Sequence, residues 1–164
     1  KRFPDLVPTA NAYHKPSYYI YGGRAFTVLS TDLMNEWREA SGFDSERLIP
    51  LSFKYWAYGP GALNEQRKKE LVVLSEVLPD PVNVGYHGHQ FELITKVNGK
   101  EFGSFQEFVT LVETNEEAYV VFENEDTQKL IISAKDAARA TEDILKRNHI
   151  SSRCSEDVSL WLKR

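Results

Sequence analysis

Cysteine is nearly missing from this chain: Cys154 is the single one in 164 residues. An internal disulfide is thereby excluded, and pairing says nothing about the redox compartment. Basic runs are as scarce, with only "RKKE" at Arg67 to Glu70 against a formal net charge of −4. A nucleic-acid partner calls for a basic face, so that class is set aside. No apolar run approaches the roughly 20 residues that a membrane-spanning helix needs. Serine-hydrolase elbows, phosphate loops and paired metal-ligand cysteines are absent as well. Nothing local organises a Ser/His/Asp triad, and no cofactor is implied.

What is present is ordinary globular material, 41% hydrophobic and 27% charged, enough for a real core. The chain starts at Lys1 with neither a methionine nor a signal-peptide pattern, and reads as a piece of a longer protein. Residues 1–16, with three prolines, read as a linker or arm. The run "YYIYGGRAFTVL" (Tyr18 to Leu29) is β-favouring and broken by Gly22-Gly23, as a strand pair or one interrupted strand. "STDLMNEWREAS" reads as a short helix capped by Ser30, Thr31 or Asp32. Residues 41–70 read as an irregular, aromatic-rich insertion with a short helix.

The rhythm then becomes regular. "LVVLSEVL" (Leu71 to Leu78) is a buried strand, and "FELITKVNGKEF" is a strand running into the tight turn Asn98-Gly99. Ser104 and Glu107 form a capping box for an amphipathic helix through Thr114. Residues 118–124 and 128–134 read as a hairpin, and 135–164 as a final helix and polar tail. Strands and helices mix without βαβ alternation. The expected fold class is α+β, a partly closed, mainly antiparallel sheet or barrel capped by two or three helices.

Two clusters have rival readings. His87, His89 and Glu92 have the spacing of a divalent-metal site, while Gly85 and Gly88 favour a plain polar loop; no metal is assigned. Phe53, Tyr55, Trp56 and Tyr58 are either an interface patch or a small satellite core anchoring the insertion.

The stretches "GGRAFTVLSTDLMNEW", "LVVLSEVLPDP", "ITKVNGKEFGSFQEFVTLV" and "AYVVFENEDTQKLIISAKDA" resemble, in this order, a PDZ domain. The type is the circularly ordered one carried by HtrA/Deg serine proteases, and the likeness is to the second, C-terminal PDZ-like domain of the Do-like subgroup. It covers about residues 16–158. Gln90-Phe91-Glu92 replaces the Gly-Asp of the commoner pattern. The resemblance implies a PDZ-like domain over residues 17–134 that is non-catalytic, within a parent serine endopeptidase.

Carried over by position, Tyr21, Gly22, Gly23 and Arg24 are the loop whose N–H groups hold a peptide carboxylate. Ala25, Phe26 and Thr27 are the edge strand to which the peptide adds, and Phe108, Leu111 and Val112 line the pocket under the helix. The implied partners are peptides or unfolded segments and the other domains and subunits of a homo-oligomeric protease. The alternative is an assembly element whose groove is closed by its own chain. The implied compartment is periplasmic, or organellar or nuclear in a plant.

Overall fold

A computed structural model describes residues 6–8, 15–40, 49–59 and 70–163. The basic run Arg67 to Lys69 and most of the expected 41–70 insertion lie outside the described residues.

The aromatic run at the start is a hairpin. β1 (Tyr18–Tyr21) pairs antiparallel with β2 (Arg24–Val28), in register Tyr18 to Thr27 and Tyr21 to Arg24. Gly22 and Gly23 are its two-residue turn, with φ +56° and +81°. Positive φ at both central residues is what a hairpin turn of matching twist demands, and glycine meets it without a Cβ penalty. α1 (Thr31–Ala40) follows, its Leu33 N–H donating to the Ser30 hydroxyl at 3.2 Å. Pro50 precedes α2 (Leu51–Tyr58), the short helix expected in the insertion.

β3 (Val72–Val77) and β4 (Glu92–Val97) come next, then the Asn98-Gly99 turn into the short β5 (Lys100–Glu101). α3 (Phe105–Glu113) starts at the expected cap: the Glu107 N–H donates to Ser104 Oγ at 3.2 Å. The Glu107 carboxylate reaches back one residue further than a capping box requires and accepts from the Gly103 N–H at 2.8 Å. β6 (Tyr119–Asn124) and β7 (Lys129–Ser133) form the second hairpin. α4 (Ala134–Arg147) and α5 (Glu156–Trp161) end the described chain.

All strand pairs are antiparallel, in the order β1-β2-β3-β4-β6-β7 with β5 beside β4. The sheet curls but does not close, which is the α+β architecture expected. The first half of β3, Val72 to Leu74, is apolar without alternation because both its faces are covered. Val72 and Leu74 join a core with Phe26, Phe108 and Phe122, whereas Leu71 and Val73 join a second core with Leu29, Met34 and Phe53. Leu6 and Val7, within the segment read as a linker, are buried in that second core.

The tail read as polar is structural too. The Ile20 N–H donates to the Arg153 carbonyl at 2.7 Å, and the Ser155 N–H to the Tyr18 carbonyl at 3.0 Å. These bonds lay residues 153–155 along the outer edge of β1, with Cys154 buried opposite Tyr19. Val158 of α5 is fully buried, and Trp161 meets Phe105 edge-on at 6.3 Å. The sequence reading saw the apolar end Leu160-Trp161-Leu162 but not the anchoring by Cys154 and Val158, which stand singly among polar residues.

Candidate binding site

The site expected from the sequence lies between β2 and α3. The structure brings its parts together and fills the space between them. Phe108 of α3 packs on Phe26 of β2 at 4.8 Å between ring centroids, and Val112 is buried beside it, with Leu111 half-buried. Tyr19 of β1 meets Phe108 edge-on at 6.5 Å. Its hydroxyl donates to Glu113 at the end of α3 at 2.5 Å. Burial first, and then the Glu113 charge and hydrogen bond, push the Tyr19 phenol above its ordinary value. Tyr21 stacks on Tyr19 at 6.4 Å and meets Phe122 at 6.3 Å.

Ala25, Phe26 and Thr27 are therefore not an edge strand, which corrects the expectation for these three residues. β2 is paired with β1 on one side and β3 on the other. The physical reason is the turn: two residues between strands force them to be hydrogen-bonded neighbours. β1 runs antiparallel to β2 and ends at Gly22-Gly23, in the place and direction that a strand-adding peptide ending at that loop would take.

The turn is not an open anion nest either. The Gly22 N–H donates to Thr141 Oγ1 at 2.9 Å, and the Gly22 carbonyl accepts from Asn83 Nδ2 at 2.8 Å. The Gly23 carbonyl accepts from the Leu78 N–H at 2.8 Å. The close approach that the glycines imply is real, but what approaches is the protein itself. A Cβ on Gly22 would lie 2.2 Å from Ile132 Cδ1, and one on Gly23 would lie 2.7 Å from Asn83 Nδ2.

Arg24, expected at the carboxylate loop, is 0% exposed. Its guanidinium lies 5.0 Å from the Tyr86 ring centre and bonds the Ile131 carbonyl of β7 at 3.4 Å. Burial lowers its pKa to about 10 against the opposing influence of Tyr86 and Tyr21. Among the described residues Nε and Nη1 have no hydrogen-bond partner, and neither has Asn83 Oδ1.

The aromatic cluster of α2 divides. Phe53 is buried in the second core and Trp56 packs against that core, whereas Tyr55 is 47% and Tyr58 71% exposed. Of the histidine cluster, His89 Nδ1 lies 2.9 Å from Glu92 Oε1, and the other Glu92 oxygen accepts from Asn124 at 2.9 Å. His87 is exposed. Among the described residues no three His, Cys, Asp or Glu side chains converge.

Asn83, Thr141 and Glu113 escaped the sequence reading. Asn83 and Thr141 meet the glycine turn across 61 and 119 residues of chain, and no local pattern marks such pairs. Tyr19 had a signal, because two glycines between β-favouring runs are also a hairpin pattern.

A family model described as the PDZ domain matches residues 7–157. Among curated proteins, the chain is 30% identical over 153 residues to "Protease Do-like 2, chloroplastic" of Arabidopsis thaliana, covering 93% of this chain and 24% of that protein. It is 28% identical over 158 residues to "Putative protease Do-like 3, mitochondrial", covering 96% of this chain and 25% of that protein, and 29% identical over 154 residues to "Protease Do-like 4, mitochondrial", covering 93% and 25%, both also from Arabidopsis thaliana. The chain thus spans about a quarter of the length of these relatives.

Proposed function

The chain belongs to the PDZ domain family, and on that premise we propose that it is a non-catalytic regulatory module of a Do-like serine protease whose strand-addition slot is filled in cis by β1. One observation carries the reading: β1 lies along β2, in register from Tyr18–Thr27 to Tyr21–Arg24, with Tyr19 seated against Phe108 of α3. A free peptide would have to displace a tethered strand, whose effective concentration is in the millimolar range for a short connection. Short peptides with micromolar grip, about −8 kcal/mol, compete poorly with that.

The module then acts within a homo-oligomeric protease through contacts with neighbouring domains or subunits. Tyr55 and Tyr58 on the exposed side of α2 are the side chains we assign to such contacts. Its chloroplastic and mitochondrial relatives favour an organelle over the periplasm as its compartment.

Peptide capture is the second reading, and it has one observation in its favour: the slot itself, with its strand and its aromatic pocket, is of the right shape for a peptide once β1 leaves. A C-terminal peptide library, with free and with amidated ends, separates the two. No binding at micromolar peptide is expected of the intact chain. Carboxylate-dependent binding, abolished by Gly23→Val, would overturn self-occupancy and make the domain a substrate sensor.

A further inference from the structure

The first hairpin faces the last strand of the sheet across a seam that no backbone ladder closes. β7 ends the sheet, so the backbone groups of Ile131 that point away from β6 have no strand beside them. Side chains meet them instead. The Ile131 N–H donates to the Tyr86 hydroxyl at 3.4 Å, and its carbonyl accepts from Arg24 Nη2 at 3.4 Å. Both bonds are at the long limit, weaker than a ladder bond.

Arg24 is the stronger anomaly. It is wholly buried, and among the described residues Nε and Nη1 have no acceptor and no carboxylate forms an ion pair with it. An uncompensated buried cation is expensive, and a guanidinium presents a rigid fork shaped for a carboxylate. The Tyr86 ring lies over the Arg24 guanidinium, 5.0 Å from the ring centre. Tyr86 stands on a loop whose neighbours Val84, Gly85, His87 and Gly88 are all exposed, with open space around Gly85. Asn83 pins the base of that loop through two hydrogen bonds, and Tyr86, half-buried against the first core and 5.9 Å from the His89 ring, gives up those contacts if it turns outward. Lys129 and Lys135, both exposed, flank the seam along β7 and the start of α4.

We propose that this seam is a strand-addition site for an acidic extended segment of a partner protein. The segment pairs with Ile131 on the edge of β7, displaces the Tyr86 hydroxyl and ring, and sets an Asp or Glu side chain against the Arg24 guanidinium. Its backbone satisfies both Ile131 groups at ladder distance, and its carboxylate takes the two orphaned N–H donors. The site uses the guanidinium of Arg24 where it meets β7, not the edge of β2 that β1 occupies.

The test is an amide-resolved NMR titration of the intact chain with two blocked peptides, acetyl-Thr-Val-Glu-Val-Thr-amide and its Gln counterpart. Both lack a terminal carboxylate, so terminal-carboxylate capture in the β2 slot contributes nothing. The Glu peptide is expected to shift the Ile131 amide and to bind about tenfold more tightly than the Gln peptide, as a charge-assisted pair would. Arg24→Met is expected to abolish that preference, and Tyr86→Ala to tighten binding of the Glu peptide. Equal affinity for the two peptides, or a Glu preference that survives Arg24→Met, overturns the proposal. So does the absence of binding to both wild type and Tyr86→Ala at millimolar peptide. Should Arg24→Met fail to fold, the Glu-to-Gln ratio measured on Tyr86→Ala decides alone.

Discussion

The Tyr19 hydroxyl donates to Glu113 at 2.5 Å, joining the first strand of the sheet to the end of α3. Arg153 grips the same carboxylate at 3.0 Å. Three parts of the chain, the first hairpin, the central helix and the C-terminal segment, thus converge on one side chain. The contact holds β1 in the slot beside β2.

Tyr19→Phe keeps the ring against Phe108 and removes only the hydroxyl. We expect a loss of about 1–2 kcal/mol in urea unfolding. The phenol also carries a pH signature. Its folded-state pKa is raised above the ordinary 10.0, so its stabilising contribution is complete below pH 10 and is lost as the pH climbs beyond it. Tyr19→Phe should therefore lose less stability than wild type on the alkaline side. Parallel curves would show that the phenol has no such role.

Glycine 23 and glycine 99 separate backbone strain from crowding. Both have positive φ, but a Cβ on Gly99 meets nothing within 4 Å, while one on Gly23 strikes Asn83 and Ile144 below 3 Å. Gly99→Ala is expected to cost about 1 kcal/mol, and Gly23→Ala about 3 kcal/mol or more. Equal midpoint shifts in thermal melts would refute the packing account of the first turn.

Asp157 ties α5 to the segment before β1. Burial opposes its ionisation, but hydrogen bonds from Ser155, Ser17 and the Val158 and Asp157 N–H groups outweigh it and lower the pKa below the ordinary 3.8. A depressed carboxyl contributes stability that is present above its unfolded pKa and lost as the pH falls through the folded one. The difference in stability between wild type and Asp157→Asn should be positive at neutral pH and shrink below about pH 4. A difference that stays constant down to pH 2 would rule this linkage out.

Cys154 is buried against Tyr19 and bonded into the strand edge, so a thiol reagent reaches it only when residues 153–155 lift away. Labelling should be slow in the folded chain. Val158→Ala, which thins the anchor of α5, should speed it severalfold by raising the open population. Fast labelling of wild type would mean that the C-terminal segment is not the cover of β1.

Much of this molecule was legible before any coordinates. Ser104 and Glu107 predicted where α3 begins, Asn98-Gly99 predicted a reversal, and the runs on either side of "ENEDT" predicted the β6–β7 hairpin. Each signal acts within a few residues, where turn chemistry and apolar spacing leave little choice. The family resemblance was legible for the same reason, since it rests on those local runs in order.

Local residue patterns were thus enough for the set of elements and their class. What occupies the space between β2 and α3 depends on contacts made across the folded chain. Gly22-Gly23 is compatible with an open nest and with a hairpin turn, and the choice fell to Thr141 and Asn83, partners 119 and 61 residues away. The resemblance puts Arg24 in a carboxylate loop, yet the fold carries it under Tyr86 against β7. The cover of β1 comes from Ser155, 137 residues from Tyr18. Such pairings depend on which surfaces meet when the chain condenses, and that is set by the shape of the whole core rather than by any stretch of residues within it.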